Sequence, residues 1–133
     1  MSKFSLRFSA GTKAESIYIL LPLLIMAGVR FFDSGWRSVI LTADWSLAAC
    51  ILYGQSTYVI TKAVLGSKIK ADPEKFGLYV CMRFALACMA LVSYVLMMIQ
   101  PDFLMGMIQI FLFAIALRNH FKDKILANLF AGK

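Results

Sequence analysis

The chain is poor in the residues that enzymes use for metal binding, redox chemistry and acid–base catalysis. It has 133 residues, with one histidine, three cysteines and seven acidic residues. A single histidine excludes an HExxH zinc site, and we expect His120 to be a surface residue beside Arg118 and Lys122. A serine hydrolase needs a base beside its nucleophile, and the sequence indicates no serine near His120. We therefore predict that the protein is not an enzyme and holds no cofactor or metal.

Charged residues are also scarce, whereas apolar residues are abundant. Charged residues make up 16% of the chain and hydrophobic residues 61%, which is far from the balance of soluble domains. A soluble chain of this length cannot bury so many apolar side chains in one core. The cysteines fall within the apolar segments, where neither disulfides nor zinc ligands are expected. The composition therefore predicts one all-α domain whose main partner is the lipid bilayer.

Four apolar segments predict an integral membrane four-helix bundle. The expected spans cover residues 16–32, 38–62, 76–99 and 102–118. The third is long, and we expect Arg83 to snorkel from it toward one interface. The fourth is shorter than the ~20 residues that a crossing needs. Residues 119–133 are predicted to form a tail at the inner surface, either as a short amphipathic helix or as a solvated or partner-bound segment.

Lysine and arginine are distributed unevenly around these segments. With both termini inside, twelve of the 14 positive residues lie on the inner side, as the positive-inside rule requires. Because these residues flank the spans, they do not form the soluble basic patch that binds nucleic acid. We predict an N-in/C-in protein of the bacterial inner membrane, with an organelle membrane as the alternative. The residues expected to contact a partner at the inner surface are Lys68, Lys70, Lys75, Arg118, Lys122 and Lys124.

The second span is the most polar. One line along a helix joins Asp44, Gln55, Tyr58 and Lys62. Almost opposite lie small or hydrogen-bonding residues, which favour helix contacts in membranes: Thr42, Ser46, Ala49, Tyr53, Ser56 and Thr57. Asp44 is the one acidic residue expected inside the spans. It is interpreted in three ways: paired with Arg37, Arg30 or interfacial water near the outer end, placed at a polar helix or subunit interface, or lining a path for protons or cations.

Small residues recur along the third span. Gly77, Cys81, Ala85 and Cys88 have small-xxx-small spacing, which predicts a close helix contact within the chain or between copies. Gly106 and Gln109 give a weaker packing signal in the fourth span. We expect a non-enzymatic membrane protein that self-associates and anchors or regulates a partner at the cytoplasmic face. The alternative is an oligomeric pore or transporter for protons, cations or small solutes, including a membrane-disrupting defence-type effector.

Overall fold

The computed structural model describes residues 10–130 and residue 132, and this part of the chain consists of helices joined by short turns. The elements are α1 (Ala10–Ser34), α2 (Trp36–Ile40), α3 (Asp44–Gly66), α4 (Pro73–Ile99) and α5 (Phe103–Phe130). The predicted all-α class is confirmed. The basic leader at residues 1–9 and the tail positions 131 and 133 lie outside the described residues.

Three of the four long helices are long and apolar enough to span a membrane, which indicates a membrane protein. Their apolar segments are Ile17–Ser34, Pro73–Ile99 and Phe103–Phe130. Most large apolar side chains of these segments point outward, and none of the α1 segment is buried inside the chain. Helix α3 has 23 residues, which is sufficient length, but it is more polar than the others. The fourth crossing therefore stays a prediction.

Helix α3 lies at the centre and packs mainly against α4 and α5, whereas α1 touches it at few points. Ser46 pairs with Gln109 and Ser56 with His120, so α3 and α5 run parallel. Contacts between the start of α4 and the end of α5 show that these two helices are antiparallel. The four long helices thus alternate in direction, as four consecutive crossings require. The core between them consists of Ala49, Leu52, Tyr53, Ala90, Phe113 and Ala116.

The segment predicted as one span at 38–62 is divided in two. Gly35 has a φ of 79°, a conformation that glycine adopts without strain, and it separates α1 from the short α2. A turn at residues 41–43 then leads into α3. The Thr42 hydroxyl donates to Asp44 Oδ2 at 2.6 Å and is 3.4 Å from the Asp44 amide. This local pairing holds the chain in a turn and delays the start of the long helix to Asp44.

The predicted break between a fourth span ending at residue 118 and a separate tail is not seen, because α5 continues as one helix to Phe130. At 1.5 Å per residue a 28-residue helix is about 42 Å long, against about 30 Å for the hydrocarbon core. His120, Asp123 and Lys124 are buried in this continuation. His120 Nδ1 pairs with Ser56 of α3 and Asp123 pairs with α4, and these contacts replace the solvation that the prediction assumed.

Candidate functional site

A line of buried hydrogen bonds joins α3 to α5, and we call it the α3–α5 seam. Ser46 Oγ donates to Gln109 Oε1 at 2.9 Å, and the Tyr53 hydroxyl is 3.4 Å from the Leu112 carbonyl oxygen. The third pair is formed by Ser56 and His120. The three α3 residues belong to the face expected to contact protein, and all three are buried. The seam gives α3 polar partners that lipid cannot offer.

Gln109 connects this seam to the end of α2. Its Nε2 donates to the Ile40 carbonyl at 3.1 Å and also to the Thr42 carbonyl. The last carbonyls of a helix have no intrahelical donor, so the buried amide supplies what the backbone lacks. Gly106 permits the approach, because a Cβ at this position would lie 2.6 Å from the Ile40 oxygen. The weak packing signal at Gly106 and Gln109 thus marks a close contact, although the sequence did not show its partner.

His120 is not the surface residue that the sequence predicted, since only 1% of it is exposed. Its Nδ1 lies 3.2 Å from Ser56 Oγ, so a serine does lie beside the histidine. Within the described residues, Nε2 has no hydrogen-bond partner. A catalytic triad needs an acid on the second ring nitrogen, whereas the nearby Asp123 is bonded to residues of α4. The absence of enzyme activity remains a prediction, but one of its reasons needs this correction.

Asp123 forms a buried ionic cluster with two residues of α4. The Tyr79 hydroxyl donates to Oδ2 at 2.8 Å, and Arg83 Nη2 donates to Oδ1 at 2.9 Å. The Arg83 guanidinium also lies 4.9 Å from the centre of the Tyr79 ring. The Arg83 and Asp123 side chains are 13% and 5% exposed, so the predicted snorkelling of Arg83 is wrong. An arginine in an apolar environment needs an anionic partner, and Asp123 supplies it.

Two charged residues are buried in this part of α5. Asp123, which lies beyond the predicted fourth span, is an acidic residue buried in the bundle. Lys124, expected among the exposed inner-surface contacts, is also buried. The burial of these positions could have been predicted from helical spacing in the sequence. Helical spacing continues past the predicted end of the fourth span through Gln109, Ala116, His120, Asp123 and Ala127, all of which are buried.

The polar line predicted on α3 lies on the outside of the bundle. The Asp44 carboxylate accepts from Thr42 and lies 3.8 Å from Arg30 Nη2, with 37% of its side chain exposed. Gln55, Tyr58 and Lys62 are exposed. The structure therefore places Asp44 in the arrangement of the first interpretation, a pair with Arg30. Within the described part of one chain, these residues do not surround a path.

The small residues of α4 also face outward. Gly77, Cys81, Ala85 and Cys88 are all exposed, and a Cβ on Gly77 would meet no atom within 4 Å. No helix in the described part of the chain covers them, which excludes the intramolecular alternative. We call these four residues the α4 stripe.

The remaining predicted basic contacts share one end of the bundle. This end holds the end of α3, the start of α4 and the end of α5, together with the turn at residues 67–72. The exposed residues there are Lys62, Lys68, Lys70, Lys75, Arg118 and Lys122. We call it the basic end.

Because α1 packs loosely, a groove remains between α1 and α3. One segment, of about 350 Å³, is lined mainly by apolar side chains, among them Pro22, Met26 and Leu47. The other, of about 330 Å³, is lined by Gln55, Tyr58, Val59 and His120. Tyr18 and Ile19 line both segments, so we treat them as one α1–α3 groove.

Comparison of the chain with protein-family profiles, curated proteins and solved structures returns no significant match. Across residues 10–130, no three His, Cys, Asp or Glu side chains group as ligands for a metal ion. A functional proposal must therefore rest on the seam, the α4 stripe, the basic end and the groove.

Proposed function

We propose that the chain is a non-enzymatic membrane protein that crosses the bilayer four times and self-associates to hold a partner at its cytoplasmic face. The alternating helix directions support four crossings. They also support the inclusion of α3, whose hydrogen-bonding face is turned to α5 and away from lipid. The basic end, by the positive-inside rule, is the cytoplasmic one. A bacterial inner membrane is the proposed location.

The outward α4 stripe is the observation that carries self-association. Small residues allow helix backbones to approach closely, and such contacts drive association where lipid removes the hydrophobic effect. Within the described residues the stripe has no intramolecular partner, and its spacing continues for more than three helical turns. The buried face of α3 is already used by α5. Self-association is therefore assigned to α4, while α3 organises the single chain.

The basic end supports the partner part of the proposal. Its lysines and arginines are exposed and immediately adjoin the helices. Such an arrangement attracts an acidic protein surface or anionic headgroups. Reversing the charge of Lys68 and Lys70 should reduce the yield of a partner crosslinked in cells, while leaving self-association unchanged.

Native cysteines make self-association testable. Two copies with the same orientation in a membrane, related by a twofold axis, bring each contact residue next to its own copy. Cys81 and Cys88 lie on the stripe, whereas Cys50 is partly buried on α3. Close α4 contact brings paired Cα atoms to within the ~4.4–6.8 Å that a disulfide needs.

Mild oxidation of membranes should therefore produce a disulfide-linked dimer on a non-reducing gel. Replacing both Cys81 and Cys88 by alanine should abolish the disulfide-linked dimer band, and Cys50→Ala should leave that band unchanged. Alanine keeps the stripe small, so light scattering in mild detergent should still detect association of the double variant. A monomer in detergent, together with no crosslink through either stripe cysteine, would contradict the proposal.

The pore alternative receives less support from the geometry. It requires Asp44 to face a hydrated path, whereas the carboxylate is held by Thr42 and lies beside Arg30. Ion flux from reconstituted vesicles that is altered by Asp44→Asn would favour the pore instead.

A further inference from the structure

The wall of the α1–α3 groove includes a residue with one buried polar atom that has no partner. His120 forms part of the groove wall, and its Nε2 is unpaired. An unpaired polar atom is costly in an apolar environment. The groove is otherwise mostly apolar along its length. This combination indicates a ligand with an apolar body and one hydrogen-bonding oxygen.

The pairing with Ser56 determines what Nε2 offers. The Ser56 hydroxyl has one proton, and His120 Nδ1 is its hydrogen-bond partner in the described part of the chain. When the hydroxyl donates to Nδ1, the imidazole carries its proton on Nε2. In the opposite tautomer, Nδ1 donates to the hydroxyl oxygen and the serine proton turns to a carbonyl of its own helix. The proposal uses the first tautomer, in which Nε2 is a donor that requires an acceptor oxygen.

The depth of His120 suits the acceptor oxygen of a lipid. A crossing needs ~20 residues, so a span that begins at Phe103 ends near Lys122, only two residues beyond His120. That level is the boundary between hydrocarbon and headgroups, where acyl ester carbonyls lie. Lys62 follows Tyr58 by about one helical turn and is exposed at the basic end. It adds a cation on the headgroup side.

The length of the groove suits one acyl chain. From Tyr58 to Leu47 is 11 residues of α3, or roughly 17 Å. This is close to half of the ~30 Å hydrocarbon core, which one leaflet's acyl chains fill. The two segments provide about 350 and 330 Å³ along this path.

We propose that the α1–α3 groove binds an anionic glycerophospholipid of the inner leaflet. One acyl chain lies between α1 and α3, its ester carbonyl accepts a hydrogen bond from His120 Nε2, and its phosphate lies beside Lys62. The proposal rests on the membrane location but not on self-association, so the crosslinking experiment and the lipid experiment can fail independently.

A matched pair of lipids tests the hydrogen bond. Diacyl phosphatidylglycerol carries the ester carbonyl, and its dialkyl ether analogue lacks it. Native mass spectrometry of the full chain in mild detergent measures the affinity of each. A donor left unpaired costs about 1 kcal/mol or more, so the ester should bind at least about fivefold more tightly. His120→Phe keeps an aromatic ring and should remove this preference. Equal binding of ester and ether by the unaltered protein would overturn the hydrogen bond.

A matched pair of variants tests the groove, and it does not disturb the Ser56–His120 pair. Val59 lines the groove, whereas Val92 is exposed on α4. Val59→Phe should fill the groove and lower lipid affinity about tenfold, a loss of about 1.4 kcal/mol. Val92→Phe should leave affinity unchanged. Equal affinities of the two variants would overturn the groove as the site, and equal binding of phosphatidylcholine by the unaltered protein would overturn the anionic headgroup.

Discussion

Replacement of Gln109 by leucine would remove three hydrogen bonds while keeping a side chain of similar size. The amide accepts from Ser46 and donates to the carbonyls of Ile40 and Thr42. Gln109 itself is 0% exposed, so water does not replace the lost amide. The substitution therefore tests how much the seam and the α2 cap contribute to stability.

Two scales predict different losses for this variant. Hydrogen bonds in membrane proteins contribute about 0.6 kcal/mol each, so three lost bonds give about 2 kcal/mol. Unpaired groups in buried cores cost about 1–3 kcal/mol each, which gives about 3–9 kcal/mol in total. The Ser46 hydroxyl can turn to a carbonyl of its own helix, and leucine adds apolar contacts. We therefore expect the free energy of unfolding to fall by about 2–3 kcal/mol, near the lower scale.

Reversible unfolding in mixed micelles, with circular dichroism as the SDS fraction rises, measures this difference. Gln100→Leu is the matched control, because Gln100 is exposed at the end of α4. The control should change the free energy of unfolding by less than about 0.5 kcal/mol. A Gln109→Leu variant as stable as this control would refute the assigned role of the buried amide.

The same assay serves two further predictions. Asp123→Asn leaves the Arg83 charge buried with a neutral partner and should cost roughly 3 kcal/mol. Adding Arg83→Met should recover much of that loss, and strict additivity of the two losses would contradict the pairing. Gly106→Ala places a Cβ 2.6 Å from the Ile40 oxygen and should destabilise the protein, whereas Gly54→Ala meets open space and should stabilise α3 by up to about 1 kcal/mol. A change of stability in the same direction for both glycine variants would contradict the close approach of Gly106 to the Ile40 oxygen.

Hydrophobic length predicted the long helices well where the helix ends are set locally. The third span, expected at 76–99, is found at Pro73–Ile99. Its start is determined by Pro73 at the first turn and by Asp72, whose carboxylate accepts from the Glu74 amide at 3.1 Å. Such signals involve neighbours in sequence. The end of α5 could not be predicted in this way, because its second half is held by pairs with other helices: His120 with Ser56 of α3 and Asp123 with Arg83 of α4.

The polar residues show the same limit. A helical projection predicted that Ser46, Tyr53 and Ser56 share a face that contacts protein, and they do. It did not indicate that α5 covers this face, since Ser56 and His120 are 64 positions apart. Considered singly, a histidine between basic residues resembles a solvated surface position. Its burial follows from a pairing that a single helix cannot reveal.

The parallel seam between α3 and α5 has a consequence for biosynthesis. The ribosome produces α3 before α5, so Ser46 and Ser56 are synthesised before Gln109 and His120 exist. Until then the least apolar long helix carries polar groups that lipid cannot satisfy. A nascent chain that stops after α4 therefore lacks α5 and leaves α3 without its hydrogen-bonding partner. Such truncated chains should be substrates for membrane quality-control proteases, with α3 as the segment they engage.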